Sequence, residues 1–373
     1  MLKAAVRSTL VLLFLFSLLT WVHPQLLLAW ELSIVTTQLG AWFALLTLVA
    51  IASLVLLIKP APPLRPFAKK DFAVLVLALF AFGTFITPII TTLSDHPGTV
   101  NLLQLFSLRA QETPYQRFSF IAANAKTPLN LDYYPAQGPG PHPWVLVIHG
   151  GGWINGDSLQ LPEINWHLNR RGYAVISIDY RLAPGWLWPA PKDDALEALK
   201  FIRAHAAEWK ISPDQWAILG RSAGAQIAGV VAYSLKGDAR PKGFISLYGP
   251  ADLAFGYQVG AEEDILRSRT LLRDFLGGTP DEKPEQYASA SPVVAANENS
   301  CPTLLIHGRE DILVYYKHTE RLEAILKLKN VDYQTVWLRF GPHGFEFFFN
   351  GPEAQASTAY IDSFLAKVLP HAL

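Results

Sequence analysis

The chain has 373 residues, of which 51% are hydrophobic and 17% are charged, and its mean hydropathy is +0.21. This composition is too apolar for an ordinary soluble protein of this length, and it predicts a membrane part beside a globular domain. The 31 Lys and Arg residues balance the 31 Asp and Glu residues without forming blocks of like charge, so nucleic-acid binding is not expected. Cys301 is the single cysteine, which excludes an internal disulfide and a multi-cysteine metal site.

Three long segments in the first quarter of the chain contain no Asp, Glu, Lys or Arg. They are Ser8–Trp30, Leu32–Ile58 and Phe72–Ser94. Each supplies the roughly 20 apolar residues that a bilayer crossing needs, so the sequence predicts three transmembrane helices. Lys3 and Arg7 would also suit the basic start of a cleaved signal peptide. That alternative is disfavoured because the first apolar run is too long and no A-x-A-like site follows it.

Positive charges lie beside alternate ends of these segments. They are Lys3, Arg7, Lys59, Arg65, Lys69 and Lys70. By the positive-inside rule the amino terminus is cytoplasmic, and three crossings place the rest of the chain on the far side of the membrane. The sequence therefore predicts a membrane region at 1–94, a linker at 95–115, and an extracytoplasmic globular domain at 116–373.

Short apolar runs alternate with amphipathic stretches throughout the globular part. Five runs are typical of buried parallel strands: WVLVIHG (144–150), YAVISIDY (173–180), WAILG (216–220), GFISLYG (243–249) and PTLLIHG (302–308). Between them, stretches such as KDDALEALKFIRAHAAEW (192–209) have one apolar helical face. Strands and helices in alternation predict a doubly wound, mostly parallel α/β sheet.

The stretch GRSAGA (220–225) carries the candidate nucleophile. It follows an apolar strand that ends at Leu219, and it precedes the helical pattern AQIAGVVAYSL (225–235). A serine between glycines is a weak signal by itself, but a strand, a tight turn and a helix in this order predict a nucleophile elbow. Ser222 would then be exposed at the carboxyl edge of the sheet.

Oxyanion donors are predicted from a second glycine-rich turn, HGGGW (149–153). The backbone N–H groups of Gly151 and Gly152 can point at a substrate oxygen without obstruction by side chains. Ala223, directly after the serine, would supply a third N–H group.

A candidate acid and a candidate base follow the serine in the chain. HGREDILV (307–314) places Asp311 after a strand, and FGPHGF (340–345) places His343 after another. Serine, acid and histidine in this order are expected of an α/β-hydrolase. Glu310 competes with Asp311 for the role of the acid.

Seven motifs together resemble the hormone-sensitive-lipase-like esterases, over roughly residues 116–373. They are HGGGW, DYRLAP (179–184), WPAPKDDA (188–195), GRSAGA, SPV (291–293), HGREDILV and HGF (343–345). The chain is most similar to the branch of bifunctional feruloyl and acetyl-xylan esterases. The resemblance implies an α/β-hydrolase fold and hydrolysis of carboxylic esters. It also implies a Ser222–His343–Asp311 triad with oxyanion donors at Gly151, Gly152 and Ala223.

Two departures from this family leave the substrate class open. Ala225 stands where members usually carry a second glycine, and Arg221 stands where an acidic residue is frequent. SAGA is also similar to the membrane-associated isoprenylcysteine methylesterases. The likeness to acetyl-ester-cleaving relatives implies short acyl groups, from acetyl to butyryl. A prolyl-oligopeptidase-like peptidase and a binding-only member of the fold remain as alternatives.

Other conspicuous residues are expected to be structural. His149 and His307 should organise loops by hydrogen bonding, and Arg181 should form a partly buried ion pair with Asp194. Aromatic residues of the domain could line an acyl pocket but more often belong to a core. These are Trp153, Trp186, Trp188, Phe345 and Phe347. The long connection 249–291 is expected to form a partial lid. The sequence has no metal-ligand spacing, P-loop or dinucleotide fingerprint, so no cofactor or metal is expected.

Overall fold

The computed structural model describes residues 1–22, 26–58, 68–122 and 127–370. These residues form two compact units. The first consists of Met1–Arg109 together with Leu338–Ala356, and the second of Ala110–Trp337 together with the chain from Ser357 onward. The predicted division into membrane region, linker and catalytic domain stays a prediction, and the grouping of 338–356 with the amino-terminal helices was not anticipated.

Four helices form most of the first unit: α1 (Leu2–Ser17), α2 (Leu27–Gln38), α3 (Gly40–Leu57) and α4 (Lys69–Asp95). Within the described residues, three helical stretches are long and apolar enough to cross a membrane, at Leu2–Thr20, Gly40–Leu57 and Lys69–Asp95. Helices α3 and α4 pack closely at Gly40. A Cβ at this position would overlap the carbonyl oxygen of Phe85.

The helix boundaries differ from the charge-free segments. The first helical stretch ends at Thr20, and α2 occupies the junction of the first two predicted spans before the break at Leu39. The charge pattern puts this boundary at the wrong place, because Glu31, which separates the first two charge-free segments, lies inside α2. Lys59 and Arg65 lie outside the described residues.

An ion cluster joins the amino-terminal ends of α1 and α4. The Asp71 carboxylate is almost fully buried and accepts from Arg7 Nε at 2.6 Å, and Lys3 Nζ lies 3.0 Å from its second oxygen. A buried carboxylate is costly unless it is paired, and here two cations surround it. The cluster fixes these two helix ends side by side.

The second unit is built on an eight-stranded sheet of order β1-β2-β4-β3-β5-β6-β7-β8. The strands are β1 (Gln116–Phe120), β2 (Leu129–Tyr134), β3 (His142–Ile148), β4 (Ala174–Ile178), β5 (Ile211–Arg221), β6 (Gly243–Leu247), β7 (Thr303–Gly308) and β8 (Tyr333–Leu338). Strands β3 to β7 pair in parallel, whereas β2 pairs antiparallel with β1 and β4. Each of the five predicted strands is confirmed.

Helices lie between these strands and after the last of them. They are α5 (Glu163–Arg170), α6 (Ala190–Ala204), α7 (Ala223–Ser234), α8 (Leu253–Val259), α9 (Ser268–Leu276), α10 (Pro284–Ser289), α11 (Pro292–Ala295), α12 (Lys317–Leu328) and α13 (Pro352–Val368). Every residue of β4, β6 and β7 is buried, as strands covered on both faces should be. The predicted α/β-hydrolase fold is confirmed, with three long apolar helices before it.

Candidate active site

Ser222 occupies the tip of the turn between β5 and α7. Its backbone is in the left-handed half of conformational space, at φ 49° and ψ −124°. A non-glycine residue in such a conformation costs on the order of 1–3 kcal/mol, and such strain is concentrated at functional sites. The Ser222 N–H donates to the carbonyl of Leu247 on β6 at 2.9 Å, which ties the strained turn to the sheet.

The glycines on either side of Ser222 allow the helix to pass close to the strands. A Cβ at Gly220 would overlap the carbonyl oxygen of Gly224, and a Cβ at Gly224 would overlap the carbonyl oxygens of Ile148 and His149. Neither position therefore has room for a side chain. The predicted strand, sharp turn and helix are all present.

The HGGGW turn lies beside this elbow. A Cβ built on Gly150 would be 3.4 Å from the Ser222 Cβ, so the bare glycine backbone faces the serine. Gly151 and Gly152 have φ values of +104° and +60°, which favour glycine. At Gly151 a Cβ would also overlap the carbonyl oxygen of Asn155.

His149 and Tyr180 stabilise the start of this turn. Their rings stack with centroids 4.2 Å apart, and the Tyr180 hydroxyl lies 3.3 Å from the carbonyl of His149 and 3.2 Å from that of Gly150. Burial lowers the pKa of His149 to about 4, so its imidazole is neutral at physiological pH. His149 organises the loop, as expected from the sequence.

A second polar network connects the two turns and was missed by sequence reasoning. The N–H of Gly150 donates to Gln160 Oε1 at 2.8 Å, and the buried Arg221 guanidinium donates to the carbonyls of Gln160 and Leu161. Arg221 was noticeable as a departure from the related esterases, but Gln160 belongs to no motif.

The insertion between β6 and β7 packs on the glycine turn. Trp153 is buried and stacks on Phe275 of α9 at a centroid distance of 4.4 Å. Its Nε1 donates to Gln226 Oε1 at 2.9 Å, and the Gln226 amide donates to the carbonyl of Ala290. A Cβ at Gly152 would be 3.4 Å from Leu271, so α9 borders the proposed oxyanion loop.

Asp311 lies in the turn after β7 and is buried. One carboxylate oxygen accepts from the N–H groups of Leu313 and Val314 at 2.9 and 2.8 Å. The other oxygen is 3.1 Å from His307 Nε2. Because that nitrogen also lies 2.9 Å from the carbonyl of Val314, it must carry a proton and donate. His307 thus organises this turn, as predicted, while the neighbouring Glu310 is only half-buried.

His343 belongs to the first unit, whereas the other five predicted site residues belong to the second. It is buried, and its carbonyl oxygen accepts from Trp30 Nε1 of α2 at 3.1 Å. Gly344 follows it at φ 75°, where a Cβ would overlap the Phe347 ring. The glycine of the HGF motif is therefore required by the turn.

Asp194 is fully buried and accepts from the Arg181 side chain at 2.7 Å and from its backbone N–H at 2.8 Å, so the predicted ion pair is confirmed. Trp188 and Phe345 are buried, whereas Trp186 and Phe347 are exposed. Among the described residues, no group of three or more His, Cys, Asp or Glu side chains could hold a metal ion.

Two curated proteins are similar in sequence to most of this chain. LipM of Mycobacterium tuberculosis, a probable carboxylic ester hydrolase, is 27% identical over 289 residues, which are 73% of this chain and 64% of LipM. Esterase LipC of the same organism is 28% identical over 60% of this chain and 58% of its own length. The chain therefore spans less than two thirds of either relative.

Solved structures agree with the sheet topology described above. A hyperthermophilic esterase from the archaeon Pyrobaculum calidifontis superposes with a TM-score of 0.62 at 21% identity, over 76% of this chain and 94% of the esterase. At this identity the likeness is evidence for the fold alone. The BD-FAE family model, in contrast, matches the sequence itself, over residues 131–326, which is more than half of the 373 residues. The chain therefore belongs to the BD-FAE family.

Proposed function

We propose that the protein is a serine hydrolase that cleaves carboxylic esters through an acyl-enzyme. The observation that supports this most strongly is the strained backbone of Ser222 beside the side-chain-free glycine turn, with Gly150 directed toward the serine. A small residue in an ordinary turn would not need this conformation. The relatives named above as esterases and ester hydrolases support the same reaction class.

In the first half-reaction, His343 accepts the Ser222 hydroxyl proton while the serine oxygen attacks the ester carbonyl carbon. The tetrahedral intermediate collapses when the bond to the alkoxy group breaks, and His343 returns the proton to the departing alcohol. Water then repeats the sequence on the acyl-serine. The products are the acid and free Ser222.

Asp311 orients the His343 imidazole and stabilises its charged form. Its burial and its two backbone donors support this assignment over the half-buried Glu310. The two N–H donors hold the Asp311 carboxylate in one orientation. A carboxylate that orients a catalytic histidine must be fixed in this way.

The N–H groups of Gly151, Gly152 and Ala223 stabilise the oxyanion. Each such donor typically contributes about 2.7–4 kcal/mol to the transition state. Ala223 is the first residue of α7, where the helix dipole also favours negative charge.

Short acyl groups, from acetyl to butyryl, are the proposed substrates. Trp153 stacked on Phe275, and Leu271 beside Gly152, leave apolar bulk next to the glycine turn, which favours small acyl chains.

The protein is further proposed to be an integral membrane protein whose catalytic domain is extracytoplasmic. In the part of the chain that the structure describes, three helices have the required length and apolar character. The Lys3–Arg7–Asp71 cluster supports placing the first residues of α1 and α4 on the same, cytoplasmic side.

The test is hydrolysis of 4-nitrophenyl esters from acetate to decanoate by the full-length protein in detergent, beside Ser222→Ala. We expect the turnover to be highest for esters with short acyl chains. We expect Ser222→Ala to abolish it. Retention of more than about a hundredth of wild-type turnover would reject Ser222 as the nucleophile. Cleavage of prolyl peptides in preference to esters would favour the peptidase alternative, and absence of any turnover would favour the binding-only one.

A further inference from the structure

The segment Leu338–Ala356, here called the histidine segment, carries His343 and groups with the amino-terminal helices. Its partners in the first unit come from the end of the first helical stretch, from α2, from the end of α4 and from the chain that follows α4. A helix region that served only to anchor a domain would not need to hold this segment.

Aromatic side chains from both ends of the α1–α2 connection pack on the histidine segment around His343. Trp30 Nε1 donates to the His343 carbonyl at 3.1 Å, and the Trp30 ring meets Phe347 edge-on at 6.3 Å. Trp21 meets Phe340 in the same way at 5.2 Å. The contacts therefore involve residues before and after His343 in the sequence, and the hydrogen bond from Trp30 is made to the backbone of His343 itself.

The carboxyl-terminal half of the segment is fastened to the last residue of α2. Gln38 Nε2 donates to Glu353 Oε2 at 2.8 Å, and both side chains are about 1% exposed. A Cβ at Gly351 would overlap the Gln38 side chain, so the backbone at Gly351 is in direct contact with Gln38. Burying a carboxyl group without a partner is expensive, which makes this hydrogen bond structurally important.

Further hydrogen bonds come from the chain at and after the end of α4. The Asn101 N–H donates to Gln355 Oε1 at 2.7 Å, and the Asn350 amide donates to the carbonyl of Ser107 at 3.0 Å. Arg339 pairs with Asp95 at 3.0 Å. The segment is thus held from its first residues to its last by parts of the chain that precede the hydrolase fold.

We propose that Trp30 and Gln38, both on α2, are positioning residues that fix the backbone around the proposed base His343. The inference rests on the proposed function, because it assigns a role to the loop of that base. The amino-terminal region then contributes to catalysis through the histidine segment, in addition to anchoring the protein. A single hydrogen bond of this kind affects the rate by about three- to tenfold when it is lost.

The experiment compares full-length variants in detergent micelles. Trp30→Phe keeps an aromatic ring against Phe347 but removes the donor to His343, and Gln38→Met removes the donor to Glu353 at similar volume. Trp42→Phe is the matched control, because Trp42 meets Phe106 edge-on at 5.5 Å, outside the histidine segment. Rates are normalised to the reactive serine titrated with a fluorophosphonate, so that misfolded protein is not counted.

We expect Trp30→Phe and Gln38→Met each to lower kcat about three- to tenfold with KM unchanged, and to slow phosphonylation in parallel. Trp42→Phe should match the wild type. The inference is overturned if both α2 variants keep wild-type kcat while His343→Ala is inactive, or if Trp42→Phe loses kcat equally. Wild-type turnover by His343→Ala would instead refute the base assignment in the proposed function, and the inference with it.

Discussion

The guanidinium of Arg221, the residue directly before Ser222, donates to the main-chain carbonyl of Gln160 at 3.1 Å. The side chain of the same Gln160 accepts from the N–H of Gly150 at 2.8 Å. Arg221 and the glycine turn are therefore coupled through one glutamine. This relationship gives a structural role to a residue that the related esterases frequently replace with an acidic one.

Replacing this glutamine should reduce the activity of the protein. Gln160→Leu leaves the Gly150 N–H without its acceptor, which costs about 1–3 kcal/mol and loosens the proposed oxyanion loop. We expect kcat/KM for a short aryl ester to fall by about tenfold or more. The exposed Gln215→Leu is the control and should behave as the wild type. Equal kcat/KM for Gln160→Leu and wild type would show that the loop does not depend on this contact.

The two candidate acids can be separated by amide substitutions. Asp311→Asn should lower kcat by about 10⁴, because an amide cannot stabilise the imidazolium and favours the wrong tautomer. Glu310→Gln should have a mild effect. Single-turnover assays at saturating ester concentration measure the rate of each variant. A larger loss for Glu310→Gln than for Asp311→Asn would assign the role of the acid to Glu310.

Stability should depend on pH through Glu353. Burial raises the pKa of Glu353 from 4.5 to about 7, although the hydrogen bond from Gln38 acts in the opposite direction. Between these values the folded protein keeps a proton that the unfolded chain has lost. The free energy of unfolding should therefore fall as pH rises from 4.5 to about 7, by on the order of 3 kcal/mol.

Glu353→Gln provides the comparison, since an amide has no such titration. Thermal unfolding of the detergent-solubilised protein, followed at several pH values, should show a steeper decline of Tm for the wild type than for the variant. Parallel curves over this pH range would mean that Glu353 is ionised in the folded state.

Membrane topology can be tested with reporters fused after Leu373. An alkaline phosphatase, which is active only outside the cytoplasm, should be active. A fluorescent protein that matures only in the cytosol should stay dark. Even if the first helix were removed or failed to insert, Lys69 and Lys70, the first two residues of α4, would still favour export of the domain. The opposite pair of results would place the catalytic domain in the cytoplasm.

The parallel strands and the serine elbow could be predicted because their signals are local. An apolar run followed by glycine specifies a buried strand and a tight turn, as at Leu219 to Gly224. The Gln160 contact could not be predicted, since it joins residues ten positions apart through a side chain with no motif. The packing of Trp30 on the histidine segment likewise joins positions that are 313 residues apart.

The apolar amino-terminal helices illustrate a second limit of prediction from sequence. Hydropathy marks apolar length, yet it does not mark where one apolar helix ends and the next begins. The hydropathy pattern therefore does not predict the break at Leu39 between α2 and α3. It also does not predict that α2 is a separate helix.

The central claim is that Ser222 is an activated nucleophile. Covalent labelling of the full-length protein with a fluorophosphonate, followed by mass spectrometry of the digested chain, tests it most directly. We predict a single phosphonylated peptide that contains Ser222, and none in Ser222→Ala or after prior heat denaturation. Labelling at another serine, or equal labelling of the native and denatured protein, would contradict the claim.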